Sequence, residues 1–289
     1  MVNPSSMNGK TVLVTGATSG MGMVIALALA ENGAAVIVHG RNAKKAEDAV
    51  KEIKEKTGNP SIYFLVADFS KLEDVRKLAA DVKKNFERLD VLINNAGAVF
   101  GKRTISADGH ELTFQVNYLC HFLLTNLLLD LLKKSAPSRV VNISSGLHER
   151  GRIDFEDLNM NKKYNPNKAY ANSKLANVLF TYELAKRLEG TGITVNVSNP
   201  GMAKTHLGYD SGGLTSFSKK FIDLFGKSAE KGAETTIFLA TSPEVETISG
   251  KYFEDKKVEQ TSEITYDSST AAKLWKVSME LTGLEPKVP

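Results

Sequence analysis

The chain has 289 residues, 42% hydrophobic and 24% charged, with a net charge of +4; that is enough for one large α/β domain and excludes a disordered or low-complexity chain. The positive charge is interleaved with Glu and Asp along stretches such as Ala43 to Lys56, which reads as solvated helix and not as a nucleic-acid face. Cys120 is the single cysteine, so no intrachain disulfide forms, and its apolar surroundings suit a buried, inert thiol.

Short β-branched runs alternate with helical stretches. Thr11 to Thr15 reads as a strand and Gly20 to Asn32 as a helix stopped by Gly33. Ala35 to His39 is a second strand, followed by a charged helix from Asn42 to Thr57 with Asn42 as its cap. Ile62 to Val66, Val91 to Asn94, Arg139 to Ser144 and Thr194 to Ser198 are further strands. Between them Lys71 to Arg88, Gly109 to Lys134 and Lys168 to Glu189 are helices, and Ala229 to Thr241 and Lys251 to Phe253 close the pattern. This order predicts βαβ units, hence one doubly wound parallel sheet, a Rossmann fold, with helices on both faces. The strands are continuous apolar runs, as burial on both faces requires. No linker interrupts the order, which predicts one domain over residues 1–289.

Two segments break the rhythm, Leu147 to Asn167 and His206 to Lys227. Both follow carboxyl ends of strands, where ligands bind in open α/β sheets, so both are candidate walls of a substrate pocket. Phe100, Leu147, His206, Leu207, Tyr209, Leu214, Phe217 and Phe221 would make that pocket apolar. Met1 to Lys10 has no apolar run and does not read as a secretory signal. Tyr118 to Leu132 is interrupted by His121, Thr125, Asn126 and Asp130 and reads as too short and too polar to span a bilayer. The expectation is a cytoplasmic protein with no integral membrane segment.

The first strand runs into Thr15-Gly16-Ala17-Thr18-Ser19-Gly20-Met21-Gly22 and then a helix. Gly16 permits a tight turn; Gly20 and Gly22 let backbone approach a pyrophosphate, which the N–H groups and positive dipole end of the helix then hold. An NAD site usually carries a carboxylate about 20 residues after the glycines. Here that stretch reads His39-Gly40-Arg41-Asn42. Arg41 suits a 2′-phosphate, with hydrogen bonds from Thr18, Ser19 and Asn42, so NADP(H) is the expected cofactor.

Tyr170 and Lys174 stand four residues apart, one turn apart on one helix face. A neighbouring cation favours phenolate, so Lys174 is expected to lower the Tyr170 pKa towards neutrality and make the phenol a general acid for a carbonyl oxygen as hydride arrives at carbon. Alone the pair is not specific. His148 and His206 flank the site, but a single loop histidine is expected to be solvated, and no cluster has the spacing of a zinc site.

Taken together these motifs resemble the short-chain dehydrogenase/reductases over essentially the whole chain: the Thr15–Gly22 loop, Asp68, Asn94-Asn95-Ala96-Gly97, Asn117, Ser144-Ser145, Tyr170 with Lys174, and Pro200-Gly201, in that order. The stretch from Ala169 to Leu184, with Tyr-x-x-Ser-Lys-Leu-Ala-Asn, and the long gap between Ser145 and Tyr170 are similar to the retinol dehydrogenase-like branch, whose common N-terminal membrane anchor is not expected here. The resemblance implies that Tyr170 is the general acid or base and that Lys174 holds the nicotinamide ribose. Ser145 would bond the substrate oxygen, and Asn117 would hold a water linking Lys174 to solvent. Asp68 with Phe69 would meet the adenine; Asn95, Ala96 and Gly97 would line the ribose; Pro200, Gly201 and Thr205 would close over the nicotinamide. Met21 belongs to the cofactor loop. The resemblance also implies a homodimer or homotetramer, with the all-round apolar helix at Tyr118 to Leu132 in the interface. The function so implied is NADP(H)-dependent hydride transfer between nicotinamide and a hydrophobic aldehyde or ketone, or the corresponding alcohol. A double-bond reductase or a non-catalytic NADP(H)-binding regulator on the same scaffold remains open.

Overall fold

The computed structural model describes residues 7–201 and 228–285. Eight strands form one sheet in the order β3-β2-β1-β4-β5-β6-β7-β8, parallel throughout except for β8, which pairs antiparallel with β7. The strands are β1 (Thr11–Val14), β2 (Ala35–Gly40), β3 (Ile62–Val66), β4 (Val91–Asn94), β5 (Ser138–Ile143), β6 (Ile193–Asn199), β7 (Tyr252–Glu254) and β8 (Lys257–Glu259). Around them lie α1 (Gly20–Glu31), α2 (Ala43–Thr57), α3 (Leu72–Asn85), α4 (Leu112–Lys134), α5 (Pro166–Arg187), α6 (Ala229–Thr241) and α7 (Ser268–Thr282). The chain order reverses between β1 and β4, and such a switch point opens a crevice beyond the strand ends.

Period-two alternation sorts the strand side chains between two cores. Leu13, Ile37, Leu92, Val140 and Val195 pack with α3, α4, α5 and α7 on one face. Val12, Val14, Val36, Val38, Ile93 and Val141 pack with α1, α2 and α6 on the other. The expected doubly wound sheet is therefore present. At its edge the expectation of covered strands fails: Tyr63, Phe64 and Val66 of β3 are exposed.

Helix ends follow capping chemistry more closely than the sequence-based spans. Glu111 accepts the N–H groups of Thr113 and Phe114, so α4 starts at Leu112 and Gly109 lies outside it in a positive-φ turn. Asn165 caps α5 ahead of Pro166 in the first turn, which starts that helix two residues earlier than expected. Gly146–Arg150, expected as loop, forms a 3₁₀ turn capped by Ser145.

Two elements were not anticipated, β8 and α7. Helix α7 is capped by Asp267 and stopped by Gly283 in the left-handed region. Its Trp275 packs on Phe122 and Phe180, and the Ser278 hydroxyl pairs with the buried Tyr118 hydroxyl at 2.7 Å. These contacts cover α4 and α5 within one chain. The apolar character of Tyr118 to Leu132 is thus accounted for by the core and does not by itself call for a partner subunit. Helix α4, continuous for 23 residues, also meets the length for a bilayer crossing, contrary to the sequence-based reading, but 72% of its apolar window is buried inside the protein.

Candidate active site

A cleft of about 610 Å³ opens at the carboxyl ends of β1, β2 and β4. Among its lining residues are Gly16, Thr18, Ser19, Gly20, Met21 and Gly22 from the first loop, Arg41 and Asn42 after β2, and Asp68 and Phe69 after β3. Asn95, Ala96 and Gly97 follow β4; Tyr170, Lys174 and Pro200 stand at the far end. Residues singled out from separate motifs thus share one cavity, whose wall includes Ser144 but not Ser145, Asn117 or Gly201.

The first loop is built for close approach. Gly16 has φ +65°, and a Cβ there would lie 2.9 Å from Ala96 Cα. A Cβ on Gly22 would strike the Gly16 carbonyl and come within 2.6 Å of Asn95 Nδ2. The loop is held from two sides. Asn95 Nδ2 donates to the Thr15 carbonyl at 2.8 Å, and Gly16 N–H donates to His39 Nδ1 at 3.2 Å. With Nδ1 accepting, His39 Nε2 donates to Ala67 O at 3.1 Å, and burial lowers the ring's pKa to about 4, so it stays neutral. His39 stacks on Phe69 at 4.5 Å, so Phe69, buried, supports this clasp as well as the cleft. The sequence signal for His39 was present only as a polar residue inside a buried strand.

Helix α1 begins at Gly20 after Ser19, whose side chain makes no capping bond, and its first turn holds no acidic residue. Its N–H groups are therefore disposed towards an anion, and the loop that no Cβ could share fits a dinucleotide pyrophosphate. Arg41 and Asn42 are exposed at the cleft, and Asn42 Oδ1 caps α2 by accepting Lys45 N–H at 2.9 Å. That cap brings a second cation, Lys45, to the lining beside Arg41, a residue the motif reading missed. Asp68 Oδ1 accepts from Ser70 N–H at 2.9 Å.

Lys174 is buried, and its Nζ donates to Ile143 O at 3.0 Å while lying 5.5 Å from the Tyr170 ring centroid. Burial lowers its pKa to about 8. Tyr170 differs from expectation. Its ring is part-exposed, yet burial of the phenol pushes its pKa up to about 12, with the Ser145 side chain pulling the other way. In the free protein desolvation outweighs the Ser145 hydrogen bond, and the phenol is protonated. Of the serine pair, Ser144 is buried and donates to the Lys174 backbone carbonyl at 2.9 Å, whereas Ser145 Oγ accepts Leu147 N–H at 3.2 Å at the mouth of the 3₁₀ turn. The Ser144 hydroxyl is spent on α5, and Ser145 remains beside Tyr170.

Asn117 sits in a π-helical turn, Gln115–Leu119, within α4. Its side chain donates to Ala98 O and Ser173 Oγ and accepts Ala98 N–H. Its backbone carbonyl accepts from His121 Nδ1 and Asn177 Nδ2, both at 3.1 Å. Asn177 joins this carbonyl to Ile143 O, which also receives Lys174 Nζ. His148 also departs from expectation: it is buried at 1% exposure, and Nδ1 donates to Ser145 O at 2.8 Å. Cys120 is buried with its thiol on Phe69 O.

Phe100 lines the cleft, but Leu147 is exposed and lies off it. The segment 151–165 packs beside α4 instead, with Asn159 Oδ1 accepting Glu111 N–H. Gly201 has φ +68° and donates to Asn199 Oδ1. Thr205, His206, Leu207, Tyr209, Leu214, Phe217, Phe221 and the candidate wall 206–227 lie outside the described residues.

A Rossmann sheet, a phosphate-ready glycine turn and a phenol–ammonium pair at one cleft define a nicotinamide-dependent oxidoreductase. Comparison with known proteins gives the same class. The model of the short chain dehydrogenase family matches residues 10–212. Retinol dehydrogenase 13 of Mus musculus is 46% identical across 97% of this chain and 86% of its own length. Retinol dehydrogenase 14 of Homo sapiens is 44% identical across 98% and 89%. Among solved structures, an uncharacterized Mycobacterium paratuberculosis protein superposes with a TM-score of 0.80 at 33% identity, covering 98% of this chain and 97% of that one. The Pseudomonas aeruginosa RhlG/NADP active-site complex does so at 0.69 and 29%, covering 87% and 96%. The chain belongs to the short-chain dehydrogenase family, in its retinol dehydrogenase-like branch.

Proposed function

We propose that this protein is an NADP(H)-dependent oxidoreductase that interconverts a hydrophobic aldehyde or ketone with its alcohol. The observation that carries the reading is the convergence of Tyr170, with the Ser145 side chain bonded to its phenol, and Lys174 at one end of a cleft whose other end carries Arg41 and Lys45. When bound, the nicotinamide supplies or accepts the hydride. Gly16, Gly20 and Gly22 leave room for its pyrophosphate, and Arg41 and Lys45 suit a 2′-phosphate, Arg41 with a fork of donors and Lys45 as a point charge. Tyr170, protonated, donates from its hydroxyl to the carbonyl oxygen in reduction, and Ser145 Oγ steadies charge developing on that oxygen. Lys174 holds the cofactor ribose and bears on the phenol. In alcohol oxidation the phenol must first lose its proton, which favours that direction at higher pH.

Ala98, Phe100, Leu112, Val116 and Pro200 give the cleft an apolar wall, which suits a hydrophobic carbonyl. The names of the relatives add a retinoid to the substrates worth trying. The test is oxidation of NADPH and of NADH against aldehydes, ketones, quinones and retinal. NADPH is expected to be preferred, and Arg41→Ala to weaken NADPH by about 10-fold to 100-fold while leaving NADH within about threefold, since one charge-assisted contact contributes about 1.5–3 kcal/mol. Equal use of both cofactors by the unaltered protein would overturn the NADP assignment. Reduction of a carbon–carbon double bond in place of the carbonyl would show in the product.

A further inference from the structure

The least explained group near the cleft is Asn177, buried at 2% exposure and absent from the cavity wall. It lies three residues beyond Lys174 on α5, hence on the same helix face. Its Nδ2 donates to two carbonyls, Asn117 O at 3.1 Å and Ile143 O at 3.3 Å. Both partners only accept, so the nitrogen must face them. Ile143 O is the same carbonyl that receives Lys174 Nζ at 3.0 Å.

The Asn117 carbonyl is reached from its other side by His121. Because that partner only accepts, His121 Nδ1 carries the proton and Nε2 accepts from the Thr15 hydroxyl, 3.2 Å away. The Thr15 oxygen in turn accepts the N–H groups of Asn95 and Ala96, both at 2.9 Å. A continuous hydrogen-bonded path thus joins the ammonium of Lys174 to the cofactor loop, and Asn177 bridges it where α4 meets the end of β5. The Asn117 carbonyl lies within the π-helical turn Gln115–Leu119.

We propose that Asn177 is a positioning residue that sets the place and the proton affinity of Lys174 by sharing the Ile143 carbonyl with it and tying that carbonyl to Asn117. The proposal rests on the reading of Tyr170 and Lys174 as the proton-transfer pair. A mere packing role would be filled by any side chain of the same volume; the two amide hydrogens would not matter.

Asn177→Leu keeps the volume and removes both donors. Asn117 O keeps His121 and Ile143 O keeps Lys174, so no buried acceptor is orphaned and the variant is expected to fold. The experiment follows the Lys174 titration in free protein carrying ¹³Cε-lysine, with Lys174→Arg assigning the resonance, and measures kcat against pH with NADPH and a carbonyl substrate. In Asn177→Leu the Lys174 titration is expected to move by at least about half a pH unit, and kcat to fall about 10-fold with KM for NADPH within about threefold, the pattern of a lost transition-state contribution. An unmoved titration overturns the proposal, whether or not kcat falls, since a fall alone is a structural effect. A moved titration with unchanged kcat overturns it as well. Should the leucine variant fail to bind NADPH, Asn177→Ala carries the same readouts. Tyr170→Phe run in parallel separates the two levels: full activity in that variant ends the functional reading, while the Lys174 titration still reports on Asn177.

Discussion

Tyr170 and Lys174 are each held in the less charged condition by burial, the phenol up to about 12 and the ammonium down to about 8. Their spacing was readable from the sequence; this balance was not, because desolvation depends on what β5 and α5 bury around them. The lysine shift has a consequence for stability. Unfolded, Lys174 titrates near 10.5, so between pH 8 and 10.5 the unfolded chain binds more protons than the folded one, and stability rises with pH across that window. Lys174→Met is expected to remove that rise and to stabilise the cofactor-free protein at pH 7 by on the order of 3 kcal/mol. Chemical denaturation at pH 7 and pH 10 checks it; a variant with the same pH slope as the unaltered protein would contradict the shift. The histidines show the same limit of sequence reading. His39 and His148 were a strand polar residue and a loop residue there, and burial with a fixed partner gives each its role.

At the scale of elements, what was legible had a local cause. The glycine turn announces itself because backbone crowding leaves no room for a Cβ. Gly22→Ala is expected to lower NADPH affinity at least about 10-fold, since the added carbon meets the Gly16 carbonyl and forces the loop away from its helix. Calorimetric titration with NADPH checks this, and unchanged affinity would deny the loop its place at the cofactor. Helix α7 escaped notice although Asp267 and Gly283 mark its ends. Its inward stripe is Ala271, Leu274, Ser278 and Thr282, half of it polar, so the apolar period is faint. Its partners, Phe122, Phe180 and Tyr118, are more than 90 residues away, a matter of tertiary packing. Trp275→Ala is expected to destabilise by about 2–3 kcal/mol, because it removes the half-buried ring that Phe122, Phe180 and the Arg187 guanidinium pack against. A loss below about 1 kcal/mol in a urea melt would show that α7 adds little to the core.

At the scale of the molecule, the parallel sheet places every strand's carboxyl end on one side, and the reversal between β1 and β4 opens the crevice there. Residues separated by as many as 184 positions, Gly16 and Pro200 among them, meet in one cavity for that reason. Strand order was not derivable from any single segment, but alternating strands and helices left few alternatives. The described sheet and cleft bring a glycine turn, a phenol–ammonium pair and an apolar wall together; chemistry at the phenol is the claim on which the functional reading turns. The most direct measurement is NADPH oxidation with a hydrophobic aldehyde by the unaltered protein and by Tyr170→Phe, with NADPH binding measured in both. Turnover reduced about 10²-fold to 10⁴-fold in the variant, at unchanged NADPH affinity, is the predicted result. Full turnover in Tyr170→Phe would contradict the assignment of Tyr170 as the proton donor.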